Sequence, residues 1–272
     1  MDHEPVYFNT LERQTTWKQG FPAQVLTAGM LNSFTLRFAE YPGAATRLTL
    51  PPEAKFCMLT IRDIPMISKV RIKVDPIEIQ EGATEIAVSF PVSDKFYRGY
   101  YRMQVVLADA DGNPVKLYDD GYAVVDKAVN PRPDTHVDLN SIRAEMADIK
   151  EEDNKLLDSL EVSTGDIAAA VHRCLEQWNT RAPRTSTYVG WNFPYTDVLR
   201  SGVVAALYRS LVAFLSRNKM LYQSGDVSID LEARMQSYQQ LEAMWTQRWI
   251  GGMAQRKNEE DMFGFTGYQS YI

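Results

Sequence analysis

The stretch FPYTDVLRSGVVAALYRSLVAFLSRNKMLY, Phe193 to Tyr222, decides how the second half of the chain folds. Pro194 suits the first turn of a helix because its φ is already fixed near the helical value. No other proline follows in this stretch, and its apolar residues cover more than one helical face. A surface helix buries a single apolar stripe, so this pattern predicts a helix with neighbours on several sides. We expect it to be the central helix of a bundle with the core residues Val171, Trp178, Leu199, Val203, Leu207, Phe214, Leu215, Tyr238 and Trp245.

The same stretch is not expected to span a membrane. Arg200, Arg209 and Arg217 interrupt it, and no apolar run approaches the ~20 residues that a span needs. The whole chain is 45% hydrophobic and 24% charged, which is typical of a soluble globular protein. Its net charge of −6 lacks the basic surplus of a protein that binds nucleic-acid phosphates, so we expect no specific nucleic-acid binding.

Residues 1–130 show the pattern of an all-β domain. Short runs rich in Val, Ile, Thr and Tyr are separated by Gly, Pro and Asp signals every eight to twelve residues or so. Val70, Ile72 and Val74 alternate with charged residues, as in a strand with one solvated face. We expect an antiparallel, immunoglobulin-like β-sandwich. The predicted strands are Gln24–Leu26, Ser33–Phe38, Thr46–Leu50, Lys55–Ile61, Ser68–Val74, Glu85–Phe90, Tyr100–Ala108 and Tyr118–Asp126.

An acidic loop, Asp109-Ala110-Asp111-Gly112-Asn113-Pro114, joins the last two of these strands. Two interpretations are open for it. A calcium loop would use the aspartates as ligands, but Pro114 stands where an EF-hand needs Gly, and no suitably placed Glu follows. A hairpin turn is favoured, because Asp-Gly between two strand patterns is an ordinary hairpin signal.

The strand pair around this loop resembles the N-terminal sandwich of phage baseplate upper proteins. The resemblance rests on Gly99-Tyr100-Tyr101 entering a strand, on Asp109-x-Asp111-Gly112, and on the final Val124-Val125. It covers about thirty residues well and the rest of the first half by strand spacing. It implies a small sandwich that docks onto other virion proteins.

The proline-rich segment Asn130-Pro131-Arg132-Pro133-Asp134 predicts an extended joint, and we place a linker at residues 131–136. Residues 137–257 then show helical periodicity. A first helix is expected through Ile142, Met146, Ile149 and Leu156, with a solvated acidic face. Ser163 and Asp166 predict a capping box, here with Asp at the third position, at the start of the next helix.

The last helix is expected to follow a turn at Gln223–Asp226 and to carry an apolar stripe that ends in Trp245 and Trp249. Tryptophans at this spacing favour core packing over a ligand-stacking platform. Gly251-Gly252 should weaken or kink the helix. Residues 258–272 alternate aromatic residues with glycine, so we expect an extended arm there. It either folds back on the bundle or, as we favour, inserts into a neighbouring subunit or partner. The residues assigned to this contact are Phe263, Phe265, Tyr268, Tyr271 and Ile272.

The second half resembles the helical structural proteins of tailed-phage necks and connectors. The resemblance spans residues 138–257 and rests on the order and spacing of Asp166-Ile167-x3-Val171, Trp178-Asn179, Phe193-Pro194 with Val198-Leu199, and Arg217-Asn218-x3-Tyr222-x2-Gly225. It implies helical wedges that assemble into a ring at the portal vertex and extend a terminal arm onto a neighbour. The β domain in front of the helices departs from the small adaptors of this type.

The sequence predicts no catalytic site, no metal site and no cofactor. His3, His136 and His172 are too scattered for a zinc site, and CxxC, HExxH, G-x-S-x-G, Walker and GxGxxG motifs are missing. His172 lies two residues from Cys174 and is expected to be a surface histidine. The two cysteines, Cys57 and Cys174, are expected to be buried and reduced. The opening MDHEPVYFN lacks a signal-peptide pattern, so we expect folding in a cytoplasm.

These observations predict a non-enzymatic structural protein of a tailed-phage virion, assembled in the host cytoplasm. It is expected to form a homo-oligomeric ring at the head–tail junction as a neck, collar or adaptor. Its expected partners are further copies, the portal, neighbouring neck or tail proteins, and fibres. A baseplate or tail-fibre adaptor is the first alternative. A carbohydrate- or receptor-binding module with exposed Tyr97, Tyr100 and Tyr101 is an alternative of another class, and an uncharacterised hydrolase is a third.

Overall fold

The chain folds into a mixed α+β structure, with β-sheets in the N-terminal part and helices in the C-terminal part. The computed structural model describes residues 6–9, 23–39, 49–65, 70–126, 137–149, 160–184, 186–217, 223–224, 227–228 and 231–269. The N-terminal strands are β1 (Val6–Asn9), β2 (Ala23–Thr27), β3 (Leu31–Ala39), β4 (Phe56–Asp63), β5 (Val70–Lys73), β6 (Ile77–Glu78), β7 (Glu85–Pro91), β8 (Gly99–Ala108) and β9 (Pro114–Asp126). They are followed by α1 (Leu139–Met146), α2 (Thr164–Thr180), α3 (Thr196–Arg217), the short strands β10 (Gln223–Ser224) and β11 (Val227–Ser228), and α4 (Leu231–Gln269).

The N-terminal strands form two sheets, ordered β1-β3-β7 and β2-β9-β8-β4-β5, with β6 paired to β4. Most neighbours are antiparallel, as predicted. Two pairs are parallel, β1 with β3 and β2 with β9, and these two depart from the expected antiparallel arrangement. The parallel pairing of β2 with β9 arises because a long path through the other strands separates them, whereas tight hairpins join only antiparallel neighbours.

One apolar core includes side chains from both sheets. Alternate residues of β7 point inward, with Ile86, Val88 and Phe90 buried and Glu85, Ala87 and Ser89 exposed. The inward positions of the other sheet are filled in the same way, for example by Leu59 and Val105. The period-2 pattern of the sequence therefore gives the strand faces directly.

The chain divides into two compact units that do not follow a single cut along the sequence. Unit 1 contains Met1–His136 together with Val162–His172 and Val189–Phe193. Unit 2 contains Val137–Glu161, Arg173–Tyr188 and Pro194–Ile272. The two inserted segments differ from the expectation that residues 137–257 belong to one helical domain.

Helix α1 is shorter than predicted and ends at Met146. Ala147 adopts a left-handed conformation (φ 55°) as its C-cap, and Ile149, which was expected on the helix, is 59% exposed. The buried carboxylate of Asp148 explains the stop. It accepts a hydrogen bond from the backbone N–H of Glu161 (2.8 Å) and one from Arg143 (3.3 Å), which fixes the chain in a turn. The predicted position Leu156 lies outside the described residues.

The predicted capping box at the start of α2 is confirmed. Ser163 Oγ accepts a hydrogen bond from the backbone N–H of Asp166 (3.1 Å), and Asp166 Oδ2 accepts one from the backbone N–H of Ser163 (3.2 Å). The serine hydroxyl also donates to the same carboxylate oxygen at 2.6 Å. Two helix-terminal N–H groups are thus satisfied reciprocally, with Asp in the place that Glu usually occupies.

Helices α3 and α4 pack closely through glycine. α3 begins at Thr196, two residues after the proline, and its buried residues, including Val198, Val203 and Leu207, lie on several faces. A Cβ added to Gly202 would lie 2.7 Å from the Trp249 ring, and one added to Gly252 would lie 3.0 Å from Val198. The two glycines therefore let each helix receive a side chain of the other.

Helix α4 contradicts two expectations about the end of the chain. It is a single 39-residue helix that continues through Gly251-Gly252 and ends only at Gln269. Residues 258–269 are therefore helical and not an extended arm. At Gly252 the close contact with Val198 supplies packing that compensates for poor helix propensity. Tyr271 and Ile272 lie outside the described residues.

Replacing Gly202 with alanine should destabilise unit 2 by about 1–3 kcal/mol, because the added methyl group overlaps the buried Trp249 ring. Gly251 is the matched control, since nothing lies within 4 Å of a Cβ added there. Gly251→Ala should stabilise the helix by about 0.5–1 kcal/mol through propensity. Urea unfolding followed by circular dichroism measures both. Equal shifts for the two variants would contradict the packing assigned to Gly202.

Candidate functional site

A cluster around Trp191 anchors the segment Val189–Phe193 within unit 1. The indole ring stacks on Tyr97 with a centroid distance of 4.4 Å and an interplanar angle of 6°. Its Nε1–H donates to Asp63 Oδ1 at 3.2 Å, and the Arg71 guanidinium lies 5.3 Å from the ring centroid. The backbone adds two bonds, from Gly190 N–H to the Ile64 carbonyl (2.9 Å) and from the Tyr100 N–H to the Gly190 carbonyl (3.3 Å).

The buried carboxylate of Asp63 is the centre of this cluster. It is 3% exposed and receives the Arg71 Nε–H at 2.9 Å to both of its oxygens as well as the Trp191 indole N–H. The hydrogen bond to Asp63 is the main cause that raises the pKa of Arg71 above its usual value. Because its carboxylate is bound by a cation and a neutral donor, the cluster is suited to holding a loop in place.

The aromatic residues of the carbohydrate alternative do not form an exposed platform. Tyr100 and Tyr101 are both 1% exposed, which contradicts their predicted exposure. Tyr101 donates its hydroxyl to the Tyr97 carbonyl at 2.8 Å, and burial raises its pKa. Tyr97 is half-buried, with one ring face stacked on Trp191. Tyr101 is part of the apolar core of the sheets, and Tyr100 is equally buried, which the sequence pattern alone did not reveal.

The acidic loop between β8 and β9 is a hairpin turn, as favoured. Asp109 Oδ1 accepts the backbone N–H groups of Asp111 (3.0 Å) and Asn113 (2.8 Å), and Asp109 Oδ2 accepts the Asn113 amide (3.1 Å). These bonds, first of all the one from the Asn113 side chain, lower the pKa of Asp109. The carboxylate closes the turn through its own backbone. Among the described residues, no group of three or more His, Cys, Asp and Glu side chains could hold a metal ion.

His172 is buried, contrary to the expectation of a surface histidine. It is 8% exposed, and its Nδ1 lies 3.4 Å from the Tyr122 hydroxyl within unit 1. The histidine was predicted to lie away from the apolar face of α2. The helix is covered on more sides than its apolar stripe suggested, with Ala168, Ala169 and Ala170 all buried as well.

Both thiols are unsuited to nucleophilic chemistry. Cys57 is 0% exposed and Cys174 is 2% exposed, both are unpaired, and burial raises the pKa of each to about 12. At neutral pH each side chain is therefore a neutral thiol in an apolar setting.

The folded protein should not react with a thiol-specific reagent such as Ellman's reagent at about pH 8, because neither sulfur is accessible or ionised. After unfolding in guanidinium chloride, both thiols should react. The amount of chromophore that the reagent releases on reaction with the native protein, compared with the denatured protein, measures the number of reactive thiols. Rapid reaction of one native thiol would contradict its burial.

A buried lysine fastens the connector between α2 and α3 to helix α4 within unit 2. Lys257 is 1% exposed, and its Nζ donates to the carbonyls of Arg181 and Pro183 at 2.9 Å each. The ammonium also lies 5.3 Å from the Trp178 ring centroid. Burial lowers the pKa of Lys257, and the nearby Glu260 carboxylate opposes that shift.

Glu260, three residues further along α4, binds the same connector. It accepts hydrogen bonds from Ser186 (2.8 Å) and from the Tyr188 hydroxyl (2.6 Å), while burial, together with the bond to Glu260, raises the pKa of Tyr188 to about 12. The basic and acidic side chains thus hold two parts of one loop. Their partners are backbone and hydroxyl groups of the protein itself, which indicates a structural role.

Two shallow clefts lie on the described surface. One, of about 540 Å³, is in unit 1 between Leu50, Ile79 and Tyr118, with Lys55 and Lys116 at its rim. The other, of about 350 Å³, is in unit 2 between Glu145, Arg200 and Trp245. Neither gathers a nucleophile, a base and an oxyanion donor in the way that a catalytic site requires.

The outward face of the larger sheet carries a row of apolar side chains. Met58 of β4 is the cross-strand partner of Val106 of β8, which in turn is the partner of Leu117 of β9. Leu117 is 55% exposed, and the other two are half-buried. We call these three residues the apolar row. Protein-binding surfaces carry larger contiguous apolar patches, and this row, with one exposed and two half-buried residues, is a small patch of that kind.

Among the described residues, helix α4 has an exposed surface that is nearly without charge and that ends before the exposed Asp261. Fourteen residues between 233 and 258 are exposed, and at about 100° of rotation per residue they all fall on one half of the helix circumference. One of the fourteen, Arg248, is charged, and its guanidinium lies 4.7 Å from the Trp245 ring centroid. We call this surface the α4 face. It comprises Ala233, Gln236, Ser237, Gln239, Gln240, Ala243, Met244, Gln247, Arg248, Ile250, Gly251, Ala254, Gln255 and Asn258.

The other charged side chains of this stretch lie beside or behind the α4 face. Arg234 pairs with Glu161 (2.7 Å), Glu242 with Arg209 (2.6 Å) and Arg256 with Glu259 (2.9 Å), while Lys257 is buried. Solvent-exposed helix faces are ordinarily rich in Lys and Glu, because these keep a helix soluble. The α4 face therefore lacks the charged side chains that ordinarily cover an exposed helix face.

The predicted site residues are distributed over both units. Trp178, Leu199, Val203, Leu207, Leu215 and Trp245 are buried in unit 2, and Phe214 and Tyr238 are half-buried there. Val171 is fully buried, but it groups with unit 1. Of the residues assigned to the arm, Phe263, Phe265 and Tyr268 lie on the helical end of α4. The α4 face was missed, although the absence of charge at helical spacing was a signal in the sequence.

Helix α3 is, within the described part of the chain, the one helix long and apolar enough to cross a membrane by length and composition. Half of its most apolar window is buried inside the protein, as is usual for a core helix, so the criterion is weak evidence for a span.

Comparisons with known proteins leave the chain unassigned. No protein-family model matches it, and no curated protein matches it. Among solved structures, a transglutaminase of red sea bream is similar to 37% of this chain at 20% identity, with a TM-score of 0.27. The matched part spans 15% of that transglutaminase chain. A TM-score this low supports no conclusion about fold or activity.

Proposed function

We propose that this chain is a structural component of a tailed-phage virion and works by assembly. In this proposal it forms a homo-oligomeric ring at the head–tail junction, assembled in the host cytoplasm, and contacts the portal and neighbouring neck or tail proteins. The α4 face is the observation that carries the proposal. A long, exposed and almost uncharged helix surface has a physical reason to exist when another protein surface covers it.

The finer fold assigned to unit 1 is an immunoglobulin-like sandwich. Three observations support it: the two sheets share one core, the early strand β2 pairs in parallel with the last strand β9, and Tyr101 donates to the Tyr97 carbonyl. A tyrosine near the start of a late strand that binds the backbone a few residues upstream is typical of such sandwiches. Unit 1 then serves as the docking or collar module.

The helical part is proposed as a bundle that builds the ring. α3 and α4 supply its rigid pair, and the 39-residue α4 is much longer than the 22-residue α3 on which it packs. The C-terminal residues Phe263, Phe265 and Tyr268 remain the proposed contact to a partner, now presented by the end of a helix. Tyr271 and Ile272 are retained in that contact as an expectation from the sequence.

A baseplate or fibre adaptor is the second candidate, and the apolar row favours it. Met58, Val106 and Leu117 give unit 1 a surface of its own that a partner can cover. A protein with one contact surface on each unit can join two different components of a virion. The two candidates differ in the partner, which is the portal for a neck protein and the tail hub for a baseplate protein.

The test uses the full-length chain. Its mass in solution should be a multiple of the 31.0 kDa monomer, and negative-stain images should show closed rings. Cross-linking in assembled particles should connect it to the portal or, for the second candidate, to the tail hub. A chain that stays monomeric both in solution and in particles, or one that turns over a defined substrate, would overturn the proposal.

A further inference from the structure

We propose that the α4 face binds the same face of a second copy of this chain, with the two helices antiparallel and related by a two-fold axis at Gln247. This inference rests on the proposed self-assembly and adds the surface, the direction and the symmetry of one contact. Three properties of the face carry it: its lack of charge, its self-complementarity and its small residues.

The lack of charge favours an identical partner. Each copy has a net charge of −6, so two copies repel each other wherever their charges come close. At physiological salt, charges further apart than about 8 Å are largely screened, and only those in or next to the contact matter. The face carries one charged member, Arg248, which lies over its own tryptophan. In this pairing it is two residue steps, or about 3 Å along the axis, from its equivalent, and it makes the one like-charge pair of the face. A nucleic acid would instead select a basic face, and an oppositely charged protein would select a charged one.

The order of residues along α4 makes the face complementary to itself. In an antiparallel pair centred on Gln247, residue 247 + k faces residue 247 − k of the other copy. Met244 then faces Ile250, so that the large exposed apolar residues of the centre, which are 39% and 41% exposed, cover each other twice. Gln236 similarly faces Asn258, and Gln247 faces its own equivalent, so side-chain amides meet amides that can donate and accept.

Small residues on the same stripe allow a close approach. Ala243 faces Gly251, and Gln240 faces Ala254, so backbones can come near the lower end of the 8–10 Å range of helix packing distances. Antiparallel helices also place opposite ends of their dipoles together, whereas parallel helices place like ends together. The parallel alternative would bring Met244 against Met244 and leave Ile250 against Ile250.

The area is that of a weak contact supported by an assembly. In the pairing about Gln247, residues 236–258 of the two copies overlap, which is 22 residue steps or roughly 33 Å of helix at 1.5 Å per residue. A strip about 12 Å wide on each of two copies buries roughly 800 Å² in total, below the ~1,000 Å² of an independent specific interface. Because a two-fold contact joins subunits in pairs and cannot close a ring alone, a ring that contains it has an even number of subunits and closes through a second surface.

Cysteine cross-linking tests the geometry directly. Both native thiols are buried, so a cysteine introduced on the exposed face is the one that forms a disulfide between folded copies. Gln247→Cys places two thiols across the proposed axis, within the ~7 Å between Cα atoms that a disulfide requires. Gln240→Cys is the matched control, since its two copies lie 14 residues apart along the axis, or about 21 Å. The double variant with Gln240→Cys and Ala254→Cys brings thiols together again.

Under mild oxidation of the full-length protein, Gln247→Cys and the double variant should yield covalent dimers, and Gln240→Cys should not. Circular dichroism of each variant should match that of the original chain. Equal cross-linking at 240 and 247 would overturn the antiparallel geometry. An oligomer by mass that shows no cross-link at 247 would overturn this inference and leave the proposed function standing, whereas a monomer with no cross-link would overturn both.

Discussion

Replacing Trp178 with alanine should cost about 3–5 kcal/mol, the range found when a buried aromatic side chain is deleted from a core. Trp178 is fully buried in unit 2, and its ring has neighbours on several sides. Trp249 lies 6.0 Å away and Tyr195 5.5 Å away between ring centroids, and the Lys257 ammonium lies 5.3 Å from the ring. Because most domains are stable by only about 5–15 kcal/mol, this loss should leave unit 2 close to unfolding at room temperature.

The loss at Trp178 has a second component besides the cavity. Without the ring, the buried ammonium of Lys257 keeps two carbonyl acceptors but loses its aromatic neighbour, and water can reach it. Urea unfolding followed by far-ultraviolet circular dichroism reports the change. Trp191→Ala, at a half-buried tryptophan of unit 1, should cost clearly less and leave the helical signal unchanged. If the two substitutions had the same effect on the helical signal, Trp178 would not be the centre of the helical core.

Replacing Gly190 with alanine should detach the segment Val189–Phe193 from the strands that hold it. A Cβ at this position would overlap the Tyr100 carbonyl oxygen and would lie 3.0 Å from Ile64 Cγ1. The carbonyl belongs to strand β8 and cannot rotate away, so the two backbone bonds of Gly190 must break or lengthen. With the overlap and the lost bonds combined, we expect a cost of at least about 3 kcal/mol.

Gly82→Ala is the matched control for Gly190→Ala, since both glycines belong to unit 1. Nothing lies within 4 Å of a Cβ on Gly82, whose φ of +77° makes alanine strained by about 1–2 kcal/mol. Limited proteolysis should cut Gly190→Ala within residues 186–193 and leave Gly82→Ala intact there. Trp191 fluorescence should move towards that of a solvated indole in the first variant. Full protection of Gly190→Ala from protease would refute the anchoring role assigned to this segment.

Much of the local structure could be predicted from the sequence, because short-range physics sets it. The alternation of Ile86, Val88 and Phe90 identifies both the strand β7 and its buried face. Ser163 and Asp166 identify the start of α2 through a hydrogen-bond exchange that needs four consecutive residues only. Asp109 likewise closes its hairpin with its own backbone.

The incorrect predictions concern positions whose local structure or burial depends on residues far away in the sequence. Gly252 reads as a helix breaker in isolation, yet its contact with Val198 of α3 makes a side chain there unfavourable. Tyr100 and His172 looked exposed by local pattern, and both are buried by elements far away in the sequence. The helical state of residues 258–269 was missed because glycine and aromatic residues lower helix propensity, which tertiary packing and helix continuity can override.

The candidate surfaces differ in how readily the sequence reveals them. The α4 face could have been found by asking which exposed helical positions carry charge, and Gln240, Gln247 and Ala254 answer that question from sequence alone once the helix is known. The apolar row could not, because it depends on the register that places Met58 beside Val106 and Val106 beside Leu117. This register is set by the pairing of β4, β8 and β9 and cannot be read from the sequence of any one of them.

The segment Val189–Phe193 also determines when unit 1 can complete its folding during translation. All strands of its two sheets have been synthesised once residue 126 is reached. The strand ends at Asp63 and Tyr100, however, form their hydrogen bonds to Trp191 and Gly190 only after Val189–Phe193 has been synthesised. About sixty further residues must therefore be translated before the Asp63 carboxylate, with Arg71 as its partner until then, can accept the Trp191 N–H. A nascent chain stalled before Gly190 should thus be more easily digested than one released after Phe193, although both already contain every strand of the two sheets.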